Sequence, residues 1–86
     1  LDIQIYPNPF NGNSTIVYNQ IKHEMLIMNI YNIMGKKITF DNNINSMHNN
    51  GRIYSNINSN NLKSGIYFLK IESNNTIETK KFIVLK

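Results

Sequence analysis

Turn-forming residues interrupt this chain roughly every ten residues, and the pieces between them are short runs rich in β-branched and aromatic side chains. Pro7-Asn8-Pro9, Asn11-Gly12, Asn32-Ile33-Met34-Gly35, Asn50-Gly51 and Glu72-Ser73-Asn74-Asn75 are the clearest breaks. No helical stretch lies between them, and a parallel α/β arrangement would need crossover helices. The spacing therefore predicts an all-β fold, an antiparallel sandwich or barrel of about seven short strands.

The densest sheet-forming sequence is Ser64 to Ile71, followed after the Glu72–Asn75 break by Thr76 to Lys86. In the first run Tyr67, Leu69 and Ile71 share one face, and Ile66, Phe68 and Lys70 the other, so Phe68 denies this strand a clean wet face. In the second, Phe82 and Val84 fall on the parity of the polar Thr76, Glu78 and Lys80. Either a bulge near Thr79 to Lys81 or a change in the neighbour covering the strand would relieve that conflict.

Upstream, Leu1 to Tyr6 alternates as a short strand and stops at Pro7-Asn8-Pro9-Phe10. Two prolines one residue apart cannot sit in a central strand, so this segment reads as a rigid corner with Phe10 plugging the edge of a core; a docking loop is the rival reading. Thr15 to Asn19 is a strand with Ile16 and Tyr18 inward. Met25 to Tyr31 is apolar on both parities, as expected of a central strand or one whose outer face is covered. Gly35 closes it in a turn. Lys36 to Phe40 reads as a further strand, Asp41 to Asn50 as a long loop or weak edge strand, and Arg52 to Ile57 as a strand. Asn58 to Ser64 is a loop anchored by Leu62.

At 86 residues residues 1–86 are expected to form a single domain. With no cysteine, packing alone must hold it, and cysteine chemistry is unavailable. No run approaches about eighteen apolar residues, and no signal peptide opens the chain. Starting at Leu1 reads as a fragment or processed piece. The net charge of +4, from nine Lys plus Arg against five Asp plus Glu, fits a soluble surface. Lys63, Lys70 and Lys80 are separated by parity and turns, which denies nucleic acid a continuous basic stripe.

Catalytic chemistry finds no framework. Asp2, Glu24, Asp41, Glu72 and Glu78 are scattered over terminus, loops and turn edges, with no pair at motif spacing. His23 and His48 lie beside polar loop residues, and no serine stands on a strand-to-helix elbow. Asp41, Asn42 and Asn43 form the one oxygen-rich cluster that calcium could use, a pattern that polar loops also produce. Asn13-Ser14-Thr15 and Asn74-Asn75-Thr76 match the N-glycosylation pattern, as expected by chance in so Asn-rich a chain. The residues thus describe a binding or interaction module with no catalytic activity, cofactor or metal.

Five landmarks in order carry a resemblance: Tyr6-Pro7-Asn8-Pro9-Phe10 with Asn11-Gly12; Thr15-Ile16-Val17-Tyr18; Ile30-Tyr31-Asn32-Ile33-Met34-Gly35-Lys36; Leu62-Lys63-Ser64-Gly65-Ile66-Tyr67-Phe68-Leu69-Lys70-Ile71; and Lys80-Lys81-Phe82-Ile83-Val84-Leu85-Lys86. Together they resemble the type A C-terminal sorting domain of the type IX secretion system. The resemblance implies an immunoglobulin-like antiparallel β-sandwich at the end of exported proteins of Bacteroidota. It implies an address that carries an N-terminal cargo domain through the periplasm to the outer-membrane translocon and its shuttle protein. It further implies that a sortase-like peptidase at the surface removes the domain, at or before Leu1, leaving the cargo secreted or on the cell surface. The Asn58-Ser59-Asn60-Asn61-Leu62 approach departs from the acidic form common in that family, which argues against a charge-based role for this loop.

Carried onto this sequence, the resemblance ties recognition or the signal's shape to Pro7, Asn8 and Pro9, to Gly35, to Gly65, Ile66 and Tyr67, and to Lys80, Lys81, Phe82, Ile83, Val84, Leu85 and Lys86. Lysines bracketing Phe82 to Leu85 give the last strand a sheet-forming core with a basic rim, a surface suited to strand addition or charge complementarity. The parity break at Thr79 to Lys81 would then mark where that strand stops serving only its own sheet. The alternative is an accessory sandwich that packs against a catalytic domain or binds carbohydrate through Tyr6, Tyr31, Tyr54 and Tyr67.

Overall fold

The computed structural model describes residues 3–19, 27–38, 44–49, 52–60, 62–72 and 76–86, the segment 44–49 by its backbone. The strands are β1 (Gln4–Tyr6), β2 (Asn13–Asn19), β3 (Ile27–Asn32), β4 (Ile44–Asn49), β5 (Arg52–Asn58), β6 (Gly65–Glu72) and β7 (Ile77–Val84). No helix occurs among the described residues. Two antiparallel sheets form, one ordered β1-β2-β5-β4 and the other β3-β6-β7. That partition of strands is the one found in constant-type immunoglobulin sandwiches.

Period-two alternation decides what each strand buries. Ile16 and Tyr18 of β2 and Ile53 and Ile57 of β5 line one inner face; Ile30 of β3, Tyr67, Leu69 and Ile71 of β6, and Phe82 and Val84 of β7 line the other. Burying each such side chain stabilises the fold by about 1.5–3 kcal/mol. Tyr67 also donates its hydroxyl to the Lys63 carbonyl at 2.6 Å, the tyrosine corner of this architecture. Two residues later, where antibody domains carry a cysteine, the fully buried Leu69 fills the space with hydrocarbon. Leu62 is buried as expected, and the loop around it is pinned by Ser59, whose N–H donates to the Gly12 carbonyl at 2.8 Å and whose hydroxyl accepts from the Gly12 N–H at 2.9 Å.

Four sequence expectations need correction or resolution. Lys36 to Phe40 is not a paired strand over its described part: it runs beside β3 with one isolated bridge, Lys37 to Tyr31, because the Asn32 side chain draws it into a tight turn; Thr39 and Phe40 lie outside the described residues. Within Asp41 to Asn50 the backbone of 44–49 is an edge strand on β5. β3 is an edge of its sheet and β6 the centre, so the apolar residues on both parities of β3 do not reflect central placement. Nor does β7 bulge: its register runs unbroken from Gly65 opposite Val84 to Glu72 opposite Ile77. Glu78 and Lys80 take the inward parity beside Ile71 and Leu69, and Lys80 stays exposed because an edge strand lets a long charged side chain reach past the rim. The change of neighbour is real, and it happens further along, where Phe10 joins the edge.

Candidate functional site: the corner and the last strand

The chain leaves the four-stranded sheet after Tyr6, which pairs with Thr15. By Phe10 it has crossed to the other sheet, forming a parallel bridge with Val84. Pro7-Asn8-Pro9 spans the crossing, with both Xaa-Pro peptide bonds cis. Three anchors hold it. Ser14 donates its hydroxyl to the Pro7 carbonyl at 2.7 Å. Asn8 uses both ends of its carboxamide, accepting from the Ile83 N–H at 2.9 Å and donating to the Lys81 carbonyl at 3.2 Å. Phe10 donates to the Ile83 carbonyl and accepts from the Leu85 N–H, each at 3.0 Å.

These contacts occupy the outer edge of β7 and the residue beyond it. The Lys81 carbonyl, both Ile83 backbone groups and the Leu85 N–H are bonded to the corner. A partner strand added along this stretch would have to displace Asn8 and Phe10, so of the two docking modes expected from sequence, strand addition meets a paired edge here and charge complementarity does not. Underneath, Phe82 stacks with Tyr67 at 5.6 Å and meets Phe10 at 5.7 Å between ring centroids. Aromatic pairs of this kind add about 0.5–1.5 kcal/mol beyond the area they bury.

The structure gathers most of the sequence-selected residues here. Pro7, Asn8 and Pro9 are exposed on the corner; Gly65 lies opposite Val84, Ile66 opposite Ile83, and Tyr67 opposite Phe82. Phe82 and Val84 are core, Ile83 is half-buried, and Lys80, Lys81, Leu85 and Lys86 are exposed. Gly35 stands apart on the β3 edge. Its φ of 85° is one that side chains with a Cβ adopt at a cost. The turn it closes leaves β3 at Asn32, level with Tyr67 and Phe82, so it shares an end of the sheet with the end of β7.

Ser64 and Phe10 are the members sequence reasoning left off the site. The Ser64 hydroxyl accepts from the Lys86 N–H at 2.8 Å, a clamp visible only once the β6–β7 register is known. Phe10 was legible as a plug but not as a strand partner. The outer face of the three-stranded sheet carries a shallow groove of about 320 Å³ lined by Tyr31, Asn32, Ile33, Gly35, Phe68, Lys70 and Thr79. There Lys70 lies 5.8 Å from the Tyr31 ring centroid and 3.4 Å from Glu72. The tyrosines a glycan platform would need are dispersed: Tyr31 is on this face, Tyr6 and Tyr54 are on the four-stranded sheet, and Tyr67 is buried. Among the described residues no three His, Asp or Glu side chains gather; His23, Glu24 and the Asp41–Asn43 group lie outside them, as does Asn74.

Among solved structures, titin M4 in a trigonal form is similar at a TM-score of 0.50 and 16% identity, over 98% of this chain and 88% of that one. At such identity the likeness concerns the fold, which is an immunoglobulin-like sandwich. Residues 4–85 match the model of the secretion system C-terminal sorting domain, and the chain belongs to that family, the sorting domains of type IX secretion. Membership implies export to a secreted or cell-surface location and interaction with the type IX secretion machinery. No curated protein matches the sequence.

Proposed function

We propose that this chain is the non-catalytic address of an exported protein, and that the secretion machinery reads it as a folded surface, the corner and the end of the last strand together. The observation that carries this is the pairing of Asn8 and Phe10 with the edge of β7, which joins family landmarks from opposite ends of the sequence into one body. Pro7, Asn8 and Pro9 with Lys81, Leu85 and Lys86 supply its exposed part; Gly65, Tyr67, Phe82 and Val84 hold its shape. The partners are the outer-membrane translocon and its shuttle protein. A sortase-like peptidase then separates the address from an N-terminal cargo domain.

The test is a fusion of residues 1–86 to the C-terminus of a periplasmically exported reporter, in a host with the type IX system. The reporter is expected at the cell surface or in the medium. Retention of a folded fusion in the periplasm would overturn the address. Appearance of the reporter outside the cell with the domain still attached would remove the peptidase step and leave the address standing.

A further inference from the structure

The turn between β3 and Lys37 holds the most exposed apolar side chains of the three-stranded sheet. Met34 is 88% exposed and Ile33 66%, while Leu85, at the same end of the sheet, is 58% exposed. Looseness does not explain this, because Ile38, a few residues on, packs against the core. The turn is also internally bonded. The Asn32 side-chain oxygen accepts from the Met34 N–H at 3.0 Å and the Lys36 N–H at 2.9 Å, and the Asn32 carbonyl accepts from the Gly35 N–H at 2.9 Å. An apolar medium around this tip would therefore leave none of those three donors unpaired, and unpaired backbone groups are a large part of the cost of inserting a turn into hydrocarbon.

Charge separates this end from the opposite one. Lys36, Lys37 and Lys86 are exposed here, and among the described residues the acidic side chains, Glu72 and Glu78, lie at the other end of the sheet, level with Ile77 and Ile71. Exposed Ile27 and Ile77 sit in the row of Glu72, so that apolar pair has an acidic neighbour. Protruding apolar side chains beside lysines suit a deformable, negatively charged surface better than a flat protein face.

We infer that this end of the sandwich docks on an anionic lipid membrane, with Ile33, Met34 and Leu85 entering the acyl boundary and Lys36, Lys37 and Lys86 lying among the lipid phosphates. The contact does not rest on the address reading, since it uses lipid rather than the translocon, although Leu85 and Lys86 are shared by the two surfaces. The test is sedimentation of the whole chain with phosphatidylcholine vesicles containing or lacking phosphatidylglycerol. Binding is expected to the anionic vesicles, to weaken with salt, and to be unaffected by inorganic phosphate at matched ionic strength.

The double variant Ile33→Asn, Met34→Asn should lose binding by about tenfold or more, and Lys36→Gln, Lys37→Gln by roughly thirtyfold. Ile27→Asn, Ile77→Asn should bind as the parent does. Circular dichroism confirms that each variant is folded. Equal binding to both vesicle types, full binding by the Ile33/Met34 variant, or competition by free phosphate would each overturn the inference. So would absence of vesicle binding, the result expected if the tip instead fits a protein pocket.

Discussion

Replacing Asn8 by alanine removes its two side-chain bonds to the edge of β7 while leaving the core and the two backbone bonds of Phe10 intact. Exposed hydrogen bonds of this kind contribute about 0.5–1.5 kcal/mol each at most, so the urea midpoint should fall by an amount equivalent to about 1 kcal/mol, and amide exchange at Ile83 should speed up. An unchanged Ile83 amide would mean that Asn8 does not hold the edge in solution. Gly35→Ala isolates a backbone effect, since a Cβ at Gly35 would meet nothing within 4 Å; the left-handed conformation alone should cost about 1–2 kcal/mol. Gly35→Asn should cost less, because asparagine tolerates that region. Tyr67→Phe removes the hydroxyl held by Lys63 and keeps the ring on Phe82, so it should cost about 1 kcal/mol and leave the fold unchanged by circular dichroism. The importance of Pro7-Asn8-Pro9 was legible in the sequence. The bidentate use of Asn8 was not, because a side chain reaching a strand more than seventy residues away depends on a register that no local pattern encodes.

At the scale of the element, β7 serves core and edge at once. Phe82 and Val84 are fully buried while Lys80, Lys81 and Lys86 are exposed. Deleting Lys81 to Lys86 therefore removes core as well as surface, and loss of export after that truncation would not distinguish an unread address from an unfolded one. Phe82→Ala alone should cost about 3–5 kcal/mol, a large share of what a chain of this size possesses, and should abolish cooperative unfolding or lower its midpoint steeply. Lys81→Ser with Lys86→Ser leaves the core intact: its urea midpoint should stay close to the parent's, so reduced export from this variant would belong to recognition. The inward face of β6 was readable from Tyr67, Leu69 and Ile71. For β7 the pattern misled, since charged residues on the inward parity look like a slipped register when the strand's place at a sheet edge is unknown. Lys36 to Phe40 misled for another reason: its alternation is that of a strand, but the Asn32 turn before it leaves one bridge on its described part.

For the whole molecule, turn spacing and the lack of helical stretches were enough to give the fold class, because the hydrophobic period survives in β2, β5 and β6, which supply most of the core. The division into two sheets was out of reach, since it depends on which strands cross over. The candidate site shows the same limit: its members could be picked from motifs, but their assembly required the crossing at Pro7-Asn8-Pro9. The reporter fusion addresses the molecule at this scale, and the Asn8→Ala variant refines it. If the machinery reads the folded surface, export by Asn8→Ala should fall more than its small loss of stability explains, whereas export that tracks stability alone would show that recognition ignores the corner.

The bridge between Phe10 and Val84 also sets an order of events in time. A ribosome releases residues 1 to 76 before any of β7, so Phe82 and Val84 are missing from the core and the corner has no edge to grip until synthesis has passed them. An interrupted product, or one clipped ahead of Lys81, would carry every earlier landmark and still lack the assembled surface. The same pairing that stabilises the sandwich thus reports that β7 has been made, because the corner finds its partners only once residues 81–85 are present.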